Sequence, residues 1–212
     1  MTTGLLQSDK QGLNYWPGFI DAIASILIIF LLISFLDTVL SRRNIELIVI
    51  EKNQRVFMEH FKGFFEQEIK DSTIIVRPRL DHLQITFGGE ILFGEGEDVL
   101  EDLGQVVLAK CAEVFLTVPV TGITQIQVEG HTDTTAFDQG GYPRNNWELS
   151  TARAISVVQF FIDENLDPTI FSANGYESNI PAEHQGLGRN PDLDRRIEIK
   201  IYFSAEDGTT SQ

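Results

Sequence analysis

A carboxylate lies near the start of the most apolar stretch of the chain. Asp21 belongs to the segment FIDAIASILIIFLLISFLD, and a charged side chain at the centre of a membrane helix costs roughly 2.5–3.5 kcal/mol. Gly18, Ala22 and Ser25 share one helix face with Asp21, at offsets of three and four residues, and small residues let neighbouring helices approach closely. We therefore expect Asp21 to face protein rather than lipid, with Ser25 one turn away as a hydrogen-bond partner for its carboxyl group. An intramembrane carboxylate is by default a candidate functional site, often in a proton relay. The alternative is a helix-end charge at the membrane interface.

The run from Phe19 to Leu40 has the composition of a membrane span. It contains two charged residues, Asp21 and Asp37, and as a helix it extends about 33 Å, enough for a hydrocarbon core of about 30 Å. A cleaved signal peptide would require a basic start, a shorter apolar core and a small-residue cleavage site, which this segment does not have. The sequence predicts a retained transmembrane helix over residues 17–40, after a tail of residues 1–16, with Asp37 as an interfacial charge at the far end.

Aromatic residues recur at helical spacing after the apolar run. Residues 44–70 are predicted to be helical because large apolar side chains recur every three or four positions, at Phe57, Phe61, Phe64, Phe65 and Ile69. This stripe packs either on the soluble domain or on a second copy of the chain, and a core-facing helix is the more ordinary outcome. We assign residues 41–72 as a helical linker.

The remainder of the chain alternates between strand and helix patterns. Alternating or β-branched apolar residues predict strands at residues 73–76, 83–87, 123–128, 170–176 and 197–203. Apolar residues at helical spacing predict helices at residues 98–115 and 147–162. Strands interleaved with two helices indicate an α/β two-layer sandwich. We place this domain at residues 73–204, before a flexible tail of residues 205–212.

Composition argues against several classes of function. The chain has 31 acidic and 16 basic residues, a net charge of −15, whereas nucleic-acid binding requires a basic surface.

Cys111 lies in a helical apolar pattern and is interpreted as a buried core thiol. His131 has no second His or Cys at ligand spacing, so we expect a structural hydrogen bond rather than a metal site. No nucleophile and base stand at suitable spacing, and we expect neither an enzyme nor a bound cofactor.

Two strings near the C-terminus resemble a known family. The segment VEGHTDTTAFDQGGYPRNNWELSTARA begins at Val128, and DRRIEIKI begins at Asp194. Over about residues 84–203 the chain resembles the OmpA-like peptidoglycan-binding domain, and PRNNWELSTARA is similar to the version in the flagellar stator protein MotB. The apolar helix with its early aspartate is similar to that of the MotB, TolR and ExbD class. Together they resemble an ion-driven motor subunit of the MotB or Zorya B-subunit type.

The resemblance implies a binding site for the diaminopimelate residue of peptidoglycan stem peptides. In this family the aspartate of the GHTD block, here Asp133, pairs with the ligand ammonium group, and the arginine of the LSxxRA block, here Arg153, takes its carboxylate. The alternative is that these two form a structural ion pair. The chain has Asp194 where the family usually has asparagine in NRR. Further positions carried over from the family are Thr132, Asn146, Leu149 and Arg196.

The resemblance also implies a location and partners. A peptidoglycan-binding domain has no use in the cytoplasm, so residues 41–212 are expected in the periplasm, with a single pass through the bacterial inner membrane and a cytoplasmic N-terminus. Arg42 and Arg43 after the span favour the opposite orientation by the positive-inside rule. The family plan implies a homodimer inside a ring of multi-span MotA-like subunits, with Asp21 carrying protons. A static tether between membrane and wall is the alternative function.

Overall fold

The computed structural model describes most of the chain, namely residues 16–118, 122–134, 143, 145–180 and 194–204. The predictions for the terminal tail before residue 16 and the tail from residue 205 lie outside the described residues, as does most of the segment between residues 134 and 145. The chain divides into two compact units, Met1–Ile45 and Glu46–Gln212.

The first long helix, α1, spans Trp16–Phe64. Its apolar part has a mean hydropathy of 2.7 over an 18-residue window, none of which is buried. Among the described residues this is the one helix long and apolar enough to cross a membrane, which confirms the predicted candidate span. The sequence predicted a helix to about Leu40 and another from residue 44. One continuous helix forms instead. Ser41, Arg42 and Arg43 change the polarity of the segment but keep the helical hydrogen bonds, which a proline would interrupt.

The C-terminal part of α1, with Phe65 directly after it, contributes aromatic side chains to the core of the second unit. Phe57, Phe61 and Phe65 have no exposed surface. The Phe57 ring lies 5.4 Å from the ring of Phe115 and 6.1 Å from that of Phe203. Burial of large aromatic side chains is a major source of folding free energy. The core-facing interpretation of the aromatic stripe is confirmed.

The sheet of the second unit has five strands in the order β1-β2-β5-β3-β4. All neighbours are antiparallel except β3 and β4, which are parallel. The strands are β1 (Ile74–Pro78), β2 (His82–Gly88), β3 (Ile123–His131), β4 (Phe171–Gly175) and β5 (Arg196–Phe203). The helices are α2 (Glu66–Lys70), α3 (Gly89–Leu92), α4 (Asp102–Thr117) and α5 (Asn146–Asp163), with a 3-10 turn at Pro168–Ile170. The mixed α/β fold is confirmed.

Alternation along the strands separates an apolar face from a polar face. Side chains on successive residues of a strand point to opposite faces of the sheet, and on β5 the buried apolar residues are Ile197, Ile199, Ile201 and Phe203. These pack with residues of α4 and α5 in one core. Cys111 of α4 is fully buried there, and burial raises the pKa of its thiol. The core-thiol interpretation is confirmed.

Two glycines let the start of α5 approach the sheet closely. A Cβ atom at Gly130 of β3 would lie 1.9 Å from the carbonyl oxygen of Ser150, and one at Gly175 of β4 would lie 2.2 Å from Thr151 Oγ1. No Cβ atom tolerates a contact of that length. The first turns of α5 therefore rest on the backbone of β3 and β4, directly beside the residues that follow β3.

Candidate ligand-binding site

The segment after β3 is fixed by contacts to two neighbouring elements. The Thr132 amide donates a hydrogen bond to the carbonyl of Glu177, after β4, at 3.0 Å. Asn146, at the first position of α5, donates from Nδ2 to the carbonyl of Asp133 at 3.4 Å. Asn145 caps that helix, since its side chain accepts from the Glu148 amide at 3.0 Å. Asp133 is thereby held between the end of β3 and the start of α5.

Arg153 lies under the loop between α3 and α4. Its side chain is 4% exposed; Nε donates to the carbonyl of Glu97 at 2.7 Å, and Nη2 donates to that of Gly94 at 3.0 Å. The guanidinium carbon lies 5.1 Å from the centroid of the Phe93 ring. Burial, and then the nearby Arg195 charge, lower the pKa of Arg153 to about 10, so the group stays charged at neutral pH. A guanidinium has five N–H donors, and these two bonds leave three for other acceptors.

Hydrogen bonds from α5 to this loop explain why α4 begins later than the sequence predicted. The helix starts at Asp102 rather than Asp98. The carbonyl of Asp98 accepts a hydrogen bond from Ser156 Oγ of α5 at 2.7 Å, and Phe93 and Leu100 form an isolated β-bridge. Side chains of α5 therefore donate hydrogen bonds to the backbone carbonyls of this loop, and these bonds stabilise its non-helical conformation.

Among the described residues, Arg195 forms an ion pair with Asp133. Its Nε lies 3.4 Å from Asp133 Oδ2, and the two side chains are 48% and 30% exposed. The carbonyl of Arg195 accepts from the Gly89 amide at 2.7 Å, and a Cβ atom at Gly89 would lie 2.9 Å from that carbonyl oxygen. The backbone of Arg195 is thus fixed against α3, while its side chain remains partly accessible to solvent.

Both arginines line an open cleft of about 200 Å³. The lining residues are Gly89, Glu90, Phe93, Gly94, Glu95, Arg153 and Arg195. Two guanidinium groups and two glutamates around one cleft suit a ligand that carries both carboxylate and ammonium groups, because each charge of the ligand finds an opposite charge.

The structure brings some of the predicted residues together and separates others. Asp133 and Arg153 lie close enough for the charge of Asp133 to act on the pKa of Arg153, and Leu149 and Thr132 are buried nearby on α5 and after β3. Arg196 is 3% exposed and donates from Nε to Glu198 Oε1 at 2.5 Å. Of the predicted site residues in this unit, Arg153 lines the cleft, whereas Thr132, Asp133, Asn146, Leu149 and Arg196 are not among its lining residues. Asp21 and Ser25 lie on α1 in the other unit.

Sequence reasoning missed three of the charged residues at the cleft. Arg195, Glu90 and Glu95 line it, and none of the three was singled out from the sequence. The string DRR contains two successive arginines, Arg195 and Arg196. Successive residues of a strand point to opposite faces, so the one that faces the cleft depends on the residue at which β5 begins. That point is set by pairing with β2 and β3, which no local pattern of the sequence defines.

Comparison with known proteins identifies relatives of both the domain and the whole chain. Residues 92–191 match the model of the OmpA family. The uncharacterized protein YtxE of Bacillus subtilis is 37% identical over 115 residues, which are 54% of this chain and 46% of that protein. The chain thus matches about half the length of that relative. The Zorya protein ZorB of Escherichia coli is 23% identical over 230 residues, covering 95% of this chain and 93% of that protein.

Two solved structures share the fold. The cell wall anchor of the T6SS from Pseudomonas aeruginosa is 27% identical, with a TM-score of 0.57, over 67% of this chain and 96% of that chain. A MotB-like protein from Desulfovibrio vulgaris is 21% identical, with a TM-score of 0.62, over 73% of this chain and 96% of that chain. The second likeness concerns the fold alone.

Proposed function

We propose that this MotB-like protein, whose residues 92–191 match the OmpA family, is the wall-bound, stator-type subunit of a proton-driven motor in the bacterial inner membrane. The observation that carries the proposal is the presence in one chain of a candidate membrane span and of a charged cleft in the part that matches the OmpA family. The full-length similarity to ZorB supports the same combination, because it extends over both parts of the chain.

The cleft is proposed to bind the diaminopimelate residue of a peptidoglycan stem peptide. That residue presents an ammonium group and a carboxylate a few ångströms apart, and the pairing between Arg195 and Asp133 offers one partner for each. At 3.4 Å and partly exposed, this pair opens at little cost, since exposed ion pairs contribute little stability. Arg153 supplies further donors and, through its hydrogen bonds to the carbonyls of Gly94 and Glu97, fixes the loop that contributes Gly94 and Glu95 to the cleft lining. Thr132, Asn146 and Leu149 are proposed to shape the pocket.

Substitutions on the two sides of the accessible ion pair are expected to weaken wall binding. Asp133→Ala removes the partner of the ligand ammonium group, and Arg195→Ala removes a partner of its carboxylate; each is expected to lower affinity by about tenfold, since each deletes one charge-assisted contact. The measurement is co-sedimentation of the full chain, in detergent, with purified peptidoglycan.

The matched control for this experiment is Arg55→Ala, which removes an exposed arginine from α1. It is expected to bind peptidoglycan as the unsubstituted chain does. Arg153 is unsuitable for the first test because its substitution also releases the loop at Gly94 and Glu97. Unchanged sedimentation of both the Asp133 and the Arg195 variants would show that their pairing is structural only.

The membrane part is proposed to carry the ion. Residues 17–40 would cross the inner membrane once, with the N-terminus in the cytoplasm and the OmpA-family domain in the periplasm. Two copies of α1 would lie inside a ring of MotA-like multi-span subunits, where Asp21 binds and releases protons and Ser25 assists. An intramembrane carboxylate that faces protein rather than lipid is well suited to a proton relay.

Isolation of the native complex tests this assembly directly. The chain is purified from its membrane in mild detergent, and the mass of the complex is measured. The motor proposal expects a multi-span partner in excess over two copies of this chain. Recovery of the chain alone, or only with wall fragments, would favour the second function below.

A static tether between membrane and wall is the second candidate function. The similarity to a T6SS cell wall anchor favours it, because that protein is described by attachment rather than by ion flow. A tether requires the cleft but gives Asp21 no role. Neither function includes catalysis, and cleavage of purified muropeptides by the full chain would contradict both.

A further inference from the structure

A group of buried ionisable side chains lies on the polar face of the sheet, apart from the cleft. Glu129 and His131 of β3 are 2% and 1% exposed, and Glu198 of β5 is 8% exposed. One carboxylate oxygen from each glutamate and one ring nitrogen of His131 all lie within 4.8 Å of one another. The three residues meet because Glu129 of β3 is the direct cross-strand partner of Glu198 on β5.

His131 is buried without a hydrogen bond from either ring nitrogen to any described residue. Its Nε2 lies 3.7 Å from Glu129 Oε2, which is beyond hydrogen-bond length. The structural hydrogen bond predicted for His131 is therefore not present among the described residues. A buried polar group without a partner is costly, and here Nε2 lies toward a carboxylate at a distance that leaves room for an ion between them.

The two glutamates also require a cation. Like charges directly opposite each other on neighbouring strands destabilise a sheet. Lys200 Nζ lies 2.8 Å from Glu129 Oε2 and 4.0 Å from Glu198 Oε2, so an ammonium group occupies the space between the two carboxylates. Lys200 is 21% exposed, and its long flexible stem allows the ammonium group to move out into solvent.

We propose that Glu129, His131 and Glu198 bind one divalent transition-metal ion of the Zn²⁺ type, in competition with the ammonium group of Lys200. One imidazole nitrogen and two carboxylate oxygens form a ligand set that Zn²⁺ accepts, with a fourth position left open. Hard cations such as Mg²⁺ prefer oxygen ligands alone, so His131 makes the site selective.

The geometry fits such an ion after a small adjustment of side chains. Bonds of about 2.1 Å in a tetrahedron place ligand atoms about 3.4 Å apart. The separation of 3.7 Å between His131 and Glu129 is close to this value, and the widest separation must shorten by roughly 1.4 Å. The second carboxylate oxygen of each glutamate is already oriented, since Gln127 Nε2 donates to Glu129 Oε1 at 2.8 Å and Arg196 Nε donates to Glu198 Oε1. Such outer contacts hold metal ligands in place.

Direct metal binding by the full chain tests the proposal. The chain is purified in detergent with a tag that contains no histidine, stripped with a chelator, and dialysed against micromolar Zn²⁺ or Mg²⁺. The bound metal is then measured by elemental analysis. We expect saturable binding of about one Zn²⁺ per chain and no retention of Mg²⁺. Both His131→Asn and Glu198→Gln are expected to lose this bound Zn²⁺.

Controls separate this site from adventitious binding. His82→Ala removes a histidine whose Nδ1 lies 2.8 Å from Asp81 Oδ1, and it is expected to keep the bound Zn²⁺. Lys200→Met retains all three ligands and removes the competing ammonium group, so it is expected to bind Zn²⁺ about tenfold more tightly. This variant keeps the test decisive even if the ligand variants fold poorly. The proposal is overturned if neither the unsubstituted chain nor Lys200→Met binds Zn²⁺ saturably, or if binding survives in both ligand variants.

Discussion

Asp21→Asn is expected to abolish proton flow through the native complex while the complex still assembles and still binds the cell wall. Asparagine has nearly the volume of aspartate and retains hydrogen-bonding capacity, but its amide does not bind and release a proton at physiological pH. The variant therefore removes the relay without removing the helix face formed with Gly18, Ala22 and Ser25. The measurement is proton flux into proteoliposomes that contain the purified complex, followed with a pH-sensitive dye.

The matched control is Asp37→Asn, which makes the same chemical change on the same helix. Asp37 lies about 24 Å from Asp21 along the helix axis, and it is interpreted as an interfacial charge. Its substitution is expected to leave proton flux unchanged. Equal proton flux from the Asp21 variant and the unsubstituted complex, or no flux from the unsubstituted complex, would contradict the motor proposal. Either result would favour the static tether.

Gly130→Ala is expected to destabilise the second unit by about 3 kcal/mol or more, the upper range for overpacking a close contact. The new methyl group would lie 1.9 Å from the carbonyl oxygen of Ser150, so α5 must move away from β3. This is a large fraction of a typical domain stability of about 5–15 kcal/mol. Because Asp133 follows three residues later, peptidoglycan binding is expected to fall as well. Pulse proteolysis of the full chain across a urea series measures the stability.

Gly63→Ala provides the control for that substitution. Gly63 is the second-last residue of α1, and nothing lies within 4 Å of the position its Cβ would occupy. Alanine there is expected to change the free energy of unfolding by less than about 1 kcal/mol, because the full cost of glycine applies to the middle of a helix. A Gly130 variant as resistant to proteolysis as the Gly63 variant would show that α5 shifts at no cost.

The features that the sequence predicted correctly are those set by local patterns. Alternating apolar residues located every strand of the sheet, and the uninterrupted apolar run located the candidate span. The GHTD and LSxxRA blocks led to Arg153, which lines the cleft, and to Asp133, which pairs with the lining residue Arg195; their role in binding stays a prediction. Each of these features depends on residues close together in the chain, where periodicity and motif spacing carry the information.

The features that the sequence did not predict depend on contacts between distant segments. The buried cluster on the sheet exists because the register of β3 and β5 sets Glu129 opposite Glu198, and no spacing within either strand indicates that pairing. The segment before α4 had a helical pattern, but hydrogen bonds from Arg153 and Ser156 hold it as a loop. The role of Arg195 required knowledge of where β5 begins.

The antiparallel pairing of β3 and β5 has a mechanical consequence for the proposed binding to the wall. Asp133 follows β3 and Arg195 precedes β5, so a tensile force on a ligand held by both would enter the two strands at the same end. Their paired residues run from His131 and Arg196 to Ile123 and Phe203. A pull along the strand axis on either one loads this ladder in shear, so many hydrogen bonds must break together. β3, which Asp133 follows, is also paired on its other side with β4, and this second set of hydrogen bonds would share the load.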